Sequence, residues 1–76
     1  MFREHEQVVL AGAITDKELE AGDVGTVVHV YRDGKAYEVE FLTLSGETVA
    51  VTTVPADKLR PVRAGEITHA RPLAGG

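Results

Sequence analysis

The stretch that decides the fold is Ala21-Gly22-Asp23-Val24-Gly25-Thr26-Val27-Val28-His29-Val30-Tyr31. Gly22 and Gly25 stand before and within a run of β-branched residues, and glycine tolerates positive φ and close backbone approach. Valine, threonine and tyrosine then favour an extended, half-buried strand. We therefore predict a tight turn that leads directly into a strand over residues 24–31.

Length and composition limit the classes of protein to consider. The 76 residues allow one domain, with a thin core, because a chain of this size buries only about 60% of its unfolded surface. Cysteine is absent, which excludes disulfides and thiolate zinc sites. No apolar run approaches the roughly 18 residues of a membrane span, and the charged residues 1–7 do not resemble a signal peptide. We expect no membrane association and a cytoplasmic location.

The charge is unevenly distributed along the chain. The net charge is -4, but residues 1–57 carry 11 acidic and 4 basic side chains, whereas residues 58–76 carry 4 basic and 1 acidic. An acidic body repels phosphate backbones, so we do not expect nucleic acid to bind there. The basic tail is suited to contact an anionic partner or the acidic body itself.

Strand-like runs flank the decisive stretch on both sides. Residues 7–10 are a short apolar run, and residues 36–41 alternate, so that one face of the strand carries Tyr37, Val39 and Phe41. Residues 11–21 between the first two strands form a long loop. Within it Thr15 is a candidate cap for one helical turn.

Turn-forming residues separate the remaining strands. Two hairpin turns are marked by the pairs Asp33-Gly34 and Ser45-Gly46. The second turn leads into a strand over residues 48–54. Pro55 then begins a 3₁₀ turn, and residues 60–62 form a short strand at a sheet edge, where proline is tolerated.

This order of elements predicts a small all-β, SH3-like barrel of about five strands in residues 1–62, with a 3₁₀ turn before the last strand. Residues 63–76 are expected to be a mostly irregular, flexible tail that docks through Ile67. Alternation does not decide whether Val27 or Val28 points inward, because a bulge would change the phase. The expected core is Val8, Leu10, Val24, Val28, Val30, Tyr37, Val39, Phe41, Val49, Val51 and Leu59.

Three blocks of residues follow one another along the chain: Gly22-Asp23-Val24-Gly25-Thr26-Val27-Val28, Tyr37-Glu38-Val39-Glu40-Phe41 and Asp57-Lys58-Leu59-Arg60-Pro61-Val62. Together they resemble a family of small bacterial proteins classed as a domain of unknown function. The blocks are also similar to SH3-like barrels in the small accessory subunit of photosystem I, the variable chain of ferredoxin-thioredoxin reductase and the β subunit of nitrile hydratase, and the glycine pair resembles KOW-type elements. The resemblance implies partner binding, of an antitoxin-like or immunity-like kind, and transfers no catalytic or metal residue.

Few side chains are candidates for chemistry. The histidines are far apart in sequence and lack helical zinc spacing, so a metal site would require the convergence of His5, His29 and His69. Ser45 has the character of a turn residue rather than a nucleophile. Glu38 and Glu40 lie about 7 Å apart on one strand face, which is equally typical of a solvated surface. We expect no catalytic residue, no bound metal and no cofactor.

We therefore predict a non-enzymatic module that binds another protein, as an accessory, antitoxin-like or immunity-like subunit. The candidate partner-binding residues are Tyr31, Arg60, Arg63 and Arg71. The alternatives are a KOW-like nucleic-acid-binding domain and a small metal-dependent enzyme built on His5, His29, Glu38 and Glu40. A homodimer is compatible with a thin core and exposed strand edges.

Overall fold

A computed structural model describes residues 1–73 and gives five β-strands. The strands are β1 Gln7–Leu10, β2 Val24–Val30, β3 Ala36–Leu42, β4 Thr48–Pro55 and β5 Leu59–Pro61. Three 3₁₀ turns, Thr15–Lys17, Arg32–Gly34 and Ala56–Lys58, connect them, and the described residues contain no α-helix. The predicted all-β class, the number of strands and the 3₁₀ turn before the last strand are confirmed.

All five strands lie in one antiparallel sheet. Their order is β4-β3-β2-β1-β5, so β4 and β5 form the two edges. The backbone hydrogen bonds of residues 1–73 leave the sheet open, because they do not join β4 to β5. The order, the long β1–β2 loop and the 3₁₀ turn before β5 are compatible with an SH3-like arrangement.

The core covers one face of the sheet. Six predicted core residues are buried: Val8, Leu10, Tyr37, Val39, Phe41 and Leu59. Val30 and Val49 are half-buried against the core. The predictions for Val24, Val28 and Val51 are wrong, because these side chains are exposed. The core instead contains Val27, Val54 and, from the long β1–β2 loop, Leu19.

A bulge in β2 explains why Val24 and Val28 are exposed although Val30 of the same strand packs against the core. Val27 pairs with Val39, but the next pair along the ladder is His29 with Glu38, so Val28 has no direct partner. One extra residue reverses the alternation of side chains. Val27 is therefore fully buried whereas Val28 is 37% exposed.

The phase of β4 is set by its register on β3. Residues directly opposite one another share a face of the sheet, and Val54 lies opposite the buried Tyr37. Val54 is therefore buried, while Val51 pairs with Glu40 on the other face. A second irregularity between Phe41 and Leu42 falls next to Val49.

The glycines of the decisive stretch have different roles. Gly22 has φ +95° in the turn before β2, and its N–H donates to the carbonyl of Leu10 at 2.8 Å. Gly25 lies inside β2, where an added Cβ would come within 2.5 Å of Val39 Cγ1 and 2.8 Å of Phe41 Cε1. Gly22 thus supplies an unusual backbone conformation, and Gly25 allows close packing.

The two hairpin turns are built around residues with positive φ. In the β2–β3 turn both Asp33 (φ +66°) and Gly34 (φ +64°) adopt left-handed conformations, as a tight hairpin with the twist of the strands requires. In the β3–β4 turn Gly46 has φ +94° and donates its N–H to the Thr43 carbonyl at 2.9 Å. Ser45 is exposed beside it.

The long loop departs from the predicted capped helix. Its 3₁₀ turn, Thr15–Lys17, has Ile14 rather than Thr15 at the cap position, with no side-chain cap hydrogen bond. The turn ends at Glu18, which is left-handed (φ +58°). Backbone hydrogen bonds then join Ile14 to Leu19 in both directions, at 2.9 and 3.1 Å. This bridge directs Leu19 into the core.

The C-terminal segment is irregular as far as it is described. Residues 63–73 contain neither helix nor strand, and the remainder of the predicted tail lies outside the described residues. Nothing helical in residues 1–73 is long and apolar enough to cross a membrane.

Candidate functional site

An apolar groove lies on the face of the sheet opposite the core. It has a volume of about 410 Å³ and is lined by residues of β1, β2, β3 and β5, the β3–β4 turn and residues 62–68. Nine large hydrophobic residues are exposed in residues 1–73. Five of them line this groove: Val24, Leu42, Leu44, Val62 and Ile67. The exposed apolar surface is thus concentrated at one place.

Val9 forms the buried floor of the groove. Its neighbours Val8 and Leu10 point into the core, so alternation directs Val9 to the opposite face. There it pairs with Val24 of β2 and Arg60 of β5. Val9 is nevertheless only 3% exposed, which shows that the surrounding side chains enclose it. The strand β1 is therefore buried on both faces.

The β3–β4 hairpin supplies one wall of the groove. Leu42 at the end of β3 is 48% exposed and Leu44 in the turn is 84% exposed. Thr43 between them fixes the turn, since its N–H donates to the Glu47 carbonyl at 2.8 Å and its hydroxyl accepts from the Glu47 N–H at 3.0 Å. The hydroxyl also lies 2.9 Å from that of Ser45. These bonds hold two large apolar side chains at the protein surface.

The start of the tail supplies the opposite wall. A turn over residues 63–66 brings Glu66 back to β5, where Arg60 donates two hydrogen bonds to its carboxylate at 3.1 and 2.7 Å. The Arg63 N–H donates a third at 2.7 Å. The Arg60 hydrogen bond, with that of Arg63, lowers the pKa of Glu66 from 4.5 to about 2. This ion pair sets Val62 and Ile67 beside the groove.

A second ion pair fixes the tail further along. Arg71 donates to the two carboxylate oxygens of Asp23 at 2.9 and 2.5 Å and to the Glu18 carbonyl at 3.3 Å. Burial by itself raises the pKa of Asp23, but hydrogen bonds from Arg71 and from the Glu20 N–H, with the Arg71 charge, outweigh it and the pKa is lowered. The expected anchor Ile67 is 89% exposed, so the tail is held by ion pairs instead.

Comparison with known proteins assigns the chain to a family. Residues 4–61 match the family described as a domain of unknown function (DUF4926). The chain belongs to the DUF4926 family. No curated protein matches it. No solved structure matches it either. The resemblance to a domain of unknown function that was expected from the three sequence blocks is confirmed.

The four candidate partner-binding residues of this DUF4926 chain lie in different places. Arg60 lines the groove, and Arg63 is exposed in the turn beside it. The Arg71 guanidinium binds the long loop at Asp23. Tyr31 directly follows β2. Its ring packs edge-on against His29 (centroids 4.8 Å apart) and its hydroxyl donates to Glu38 at 3.1 Å. Of the four, Arg60 alone contributes to the groove.

The side chains considered for chemistry are dispersed or bound to hydroxyl groups. Glu38 accepts a hydrogen bond from the Thr53 hydroxyl at 2.6 Å, and Glu40 accepts one from the Thr48 hydroxyl at 3.0 Å. The Ser45 hydroxyl hydrogen-bonds with the Thr43 hydroxyl in the turn already described. Across residues 1–73, no three acidic or histidine side chains form a group that could hold a metal ion. The candidate histidines His5, His29 and His69 lie within this range and are not part of such a group.

Sequence reasoning missed the apolar lining of the groove in this DUF4926 chain. For Val9 a signal existed: Val8-Val9-Leu10 is continuously apolar, which is typical of a strand buried on both faces. Leu42 and Leu44 alternate through the start of a turn, where apolar residues are unexpected. Together these two features identify an unusual apolar surface, although they do not show that its parts meet.

Proposed function

We propose that this DUF4926 chain is a non-enzymatic protein-binding module whose groove receives apolar side chains of a partner protein. One observation carries the proposal: five of the nine exposed large hydrophobic residues within residues 1–73 surround a single groove with a buried floor. Contiguous apolar patches rimmed by polar residues mark interaction sites, because exposing them to water is unfavourable. Side chains that anchor a partner are typically held in such central, desolvated pockets.

The charges around the groove favour a protein partner with basic flanking residues. The charged groups that line the groove are Glu40, Arg60 and Glu66, and the last two neutralise one another as an ion pair. The uncompensated charge is negative, as is that of residues 1–57. Electrostatic complementarity steers association and selects partners. We therefore expect a segment with apolar anchors and nearby lysine or arginine, rather than a phosphate backbone.

Apolar burial supplies the binding free energy in this proposal. Filling the groove removes Leu42 and Leu44 from water, and fully burying one side chain of this size contributes about 1.5–3 kcal/mol. The ion-paired tail provides a wall that is already in place before binding, which reduces the entropy cost of association. An accessory, antitoxin-like or immunity-like subunit acts in this way, since it occupies a surface of another protein.

The experiment compares a groove variant with a matched surface variant. Tagged wild type, Leu42→Asp/Leu44→Asp and Val28→Asp are used for affinity capture from lysate of the source cell, and a retained protein is then purified for calorimetry. Val28 is exposed but does not line the groove, so its variant controls for an added surface charge. Circular dichroism establishes that all three chains are folded.

We expect one protein to bind wild type and Val28→Asp with similar affinity. The same protein should bind the groove variant at least about tenfold more weakly. Equal binding to all three chains would place the interaction elsewhere. Failure to obtain a stoichiometric complex with wild type would overturn the proposal.

A further inference from the structure

The strand β4, Thr48–Pro55, is a long sheet edge whose central residues, 50–54, lack the usual protection. Its sequence Thr-Val-Ala-Val-Thr-Thr-Val-Pro contains no charged residue, and its only proline stands at the last position. Within residues 1–73 its backbone pairs with β3 and with no other strand. Proteins protect sheet edges with charges, proline, bulges, short length or a covering segment, because unpaired N–H and C=O groups are a template for another strand. In β4 the bulge at Val49 and the proline lie at the two ends, which leaves the residues between them open.

The opposite edge has the protection that β4 lacks. β5 spans only Leu59–Pro61, and proline removes one backbone donor from it. The turn over residues 63–66 folds back beside it through the Arg60–Glu66 ion pair. The sheet therefore offers one open edge per molecule. Pairing through that edge would stop at two copies and would not continue as a filament.

The register on β3 identifies the free backbone groups. The Ala56 N–H donates to the Lys35 carbonyl at 2.9 Å. Hydrogen-bonded pairs alternate along an antiparallel ladder, so Val54 and Thr52 use their N–H and C=O groups on β3. The N–H and C=O groups of Val51 and Thr53 therefore point away from the sheet, as does the carbonyl of Pro55.

We propose that two copies of this chain form a homodimer by antiparallel pairing of β4 with β4 around a two-fold axis at Thr52. In this register Val51 of each copy lies opposite Thr53 of the other, and the N–H and C=O groups of both residues are paired on each strand. Moving the axis to Thr53 would require a donor from Pro55, which has none. Moving it to Val51 would involve Val49, which lies at the irregularity in the β3–β4 ladder.

Electrostatics weakens this pairing but leaves it possible, because β4 itself carries no charge. Glu38 and Glu40 lie on the neighbouring strand, and the β3 strands of the two copies would be three strand spacings, about 14 Å, apart. The Glu38 carboxylate reaches β4, where it accepts a hydrogen bond from Thr53 at 2.6 Å. Glu47 and Asp57 flank β4 and would face one another between copies beyond the ends of the paired strands, where salt screens them with a Debye length of about 8 Å. A single strand pair is also small beside the roughly 1,600 Å² of a standard interface, so we expect a dissociation constant in the micromolar range or above.

Sedimentation equilibrium over a wide range of concentration tests the proposal. Wild type and Val28→Lys should show the same monomer–dimer equilibrium, and Val51→Lys should raise the dissociation constant by about tenfold or more, because it places a charge on the pairing edge. Val28 and Val51 are both exposed valines, so the control makes the same chemical change on a strand that is already paired on both sides. Circular dichroism confirms that each variant is folded.

Amide hydrogen exchange supplies a test that does not depend on a variant. As the wild-type concentration rises, exchange at Val51 and Thr53 should slow, while the amides of Val54 and Thr52 should be protected throughout. Three outcomes would overturn the proposal: a wild type that stays monomeric at millimolar concentration, a Val51→Lys variant that dimerises as wild type does, or Val51 and Thr53 amides whose exchange is independent of concentration.

Discussion

Gly25→Ala is the substitution whose effect follows most directly from the structure. Gly25 lies in β2 opposite Phe41. A Cβ added there would lie 2.5 Å from Val39 Cγ1, 2.8 Å from Phe41 Cε1 and 3.0 Å from the Glu40 carbonyl oxygen. Favourable carbon–carbon separations are about 3.5–4.0 Å. The neighbouring atoms would therefore have to retreat by about 1 Å.

That retreat is costly because the neighbours are enclosed. Val39 is fully buried and Phe41 is 2% exposed, and the third contact is to backbone, which cannot rotate away. Overpacking a close-packed core costs about 1–3 kcal/mol, and we expect the upper half of that range here. A chain of this size has a total stability of about 4–11 kcal/mol. The loss should lower the melting temperature by about 10–20 °C.

Thermal and urea unfolding followed by circular dichroism measures this effect. Gly12→Ala is the matched control, because an added Cβ at Gly12 meets no atom within 4 Å and its φ is not left-handed. We expect the control to lie within about 1 kcal/mol of wild type, on the stabilised side, since alanine restricts the unfolded chain. Equal stability of the two variants would refute the argument from close contact.

Three further predictions concern the core, a buried hydroxyl and the tail. Val54→Ala should lower the free energy of unfolding by about 2 kcal/mol because Val54 is fully buried. The control Val51→Ala, at an exposed position, should change it by less than about 0.5 kcal/mol. Chemical denaturation of both variants separates these outcomes. Tyr37→Phe removes the acceptor of the Phe2 N–H at 3.2 Å and should cost about 1 kcal/mol by the same measurement; an unchanged midpoint would contradict this. Because the folded pKa of Glu66 is depressed, its contribution to stability is present above pH 4.5 and is lost as the pH falls through about 2; an NMR titration of Glu66 with a midpoint near 4.5 would show that its ion pair is absent in solution.

The parts of the fold that sequence predicts correctly are those with unambiguous local signals. Tyr37, Val39 and Phe41 alternate with two glutamates, so only one inward face is chemically reasonable. The Asp33-Gly34 turn requires residues that accept positive φ, and both have it. In these segments local preference and tertiary structure demand the same conformation.

The phases of β2 and β4 required information from other strands. Val27 and Val28 are chemically identical, and a bulge opposite β3 decides which one is buried. In β4 both alternating sets of residues contain valine and threonine, so composition does not distinguish the buried set from the exposed set. The pairing of Val54 with Tyr37 selects between the two sets. Alternation within one strand carries no information about its register on the next.

The groove was beyond sequence reasoning for a related physical reason. Its apolar lining comes from Val9, Leu42 and Val62, which belong to separate parts of the chain. The apolar run that contains Val9 and the leucines at the β3–β4 turn are local signals, whereas a single exposed residue such as Val62 is normal on a protein surface. None of these signals shows which segments meet. The sheet order β4-β3-β2-β1-β5, together with the ion pair that turns the tail back, brings them together.

The two proposed interaction surfaces should act independently, and this makes each proposal separately testable. The groove residues lie on the face of β1, β2, β3 and β5 and on the tail, whereas dimerisation uses the outer edge of β4 through Val51 and Thr53. Neither of these residues lines the groove, although Val51 pairs with Glu40, which does. Leu42 pairs with Thr48 and not with either edge residue, so the effects of mutations at the apolar wall and at the edge should be close to additive. A Val51→Lys monomer should retain its protein partner, and Leu42→Asp/Leu44→Asp should remain dimeric. Loss of both interactions in one variant would show that the two interactions are coupled, as they would be if partner binding required the dimer.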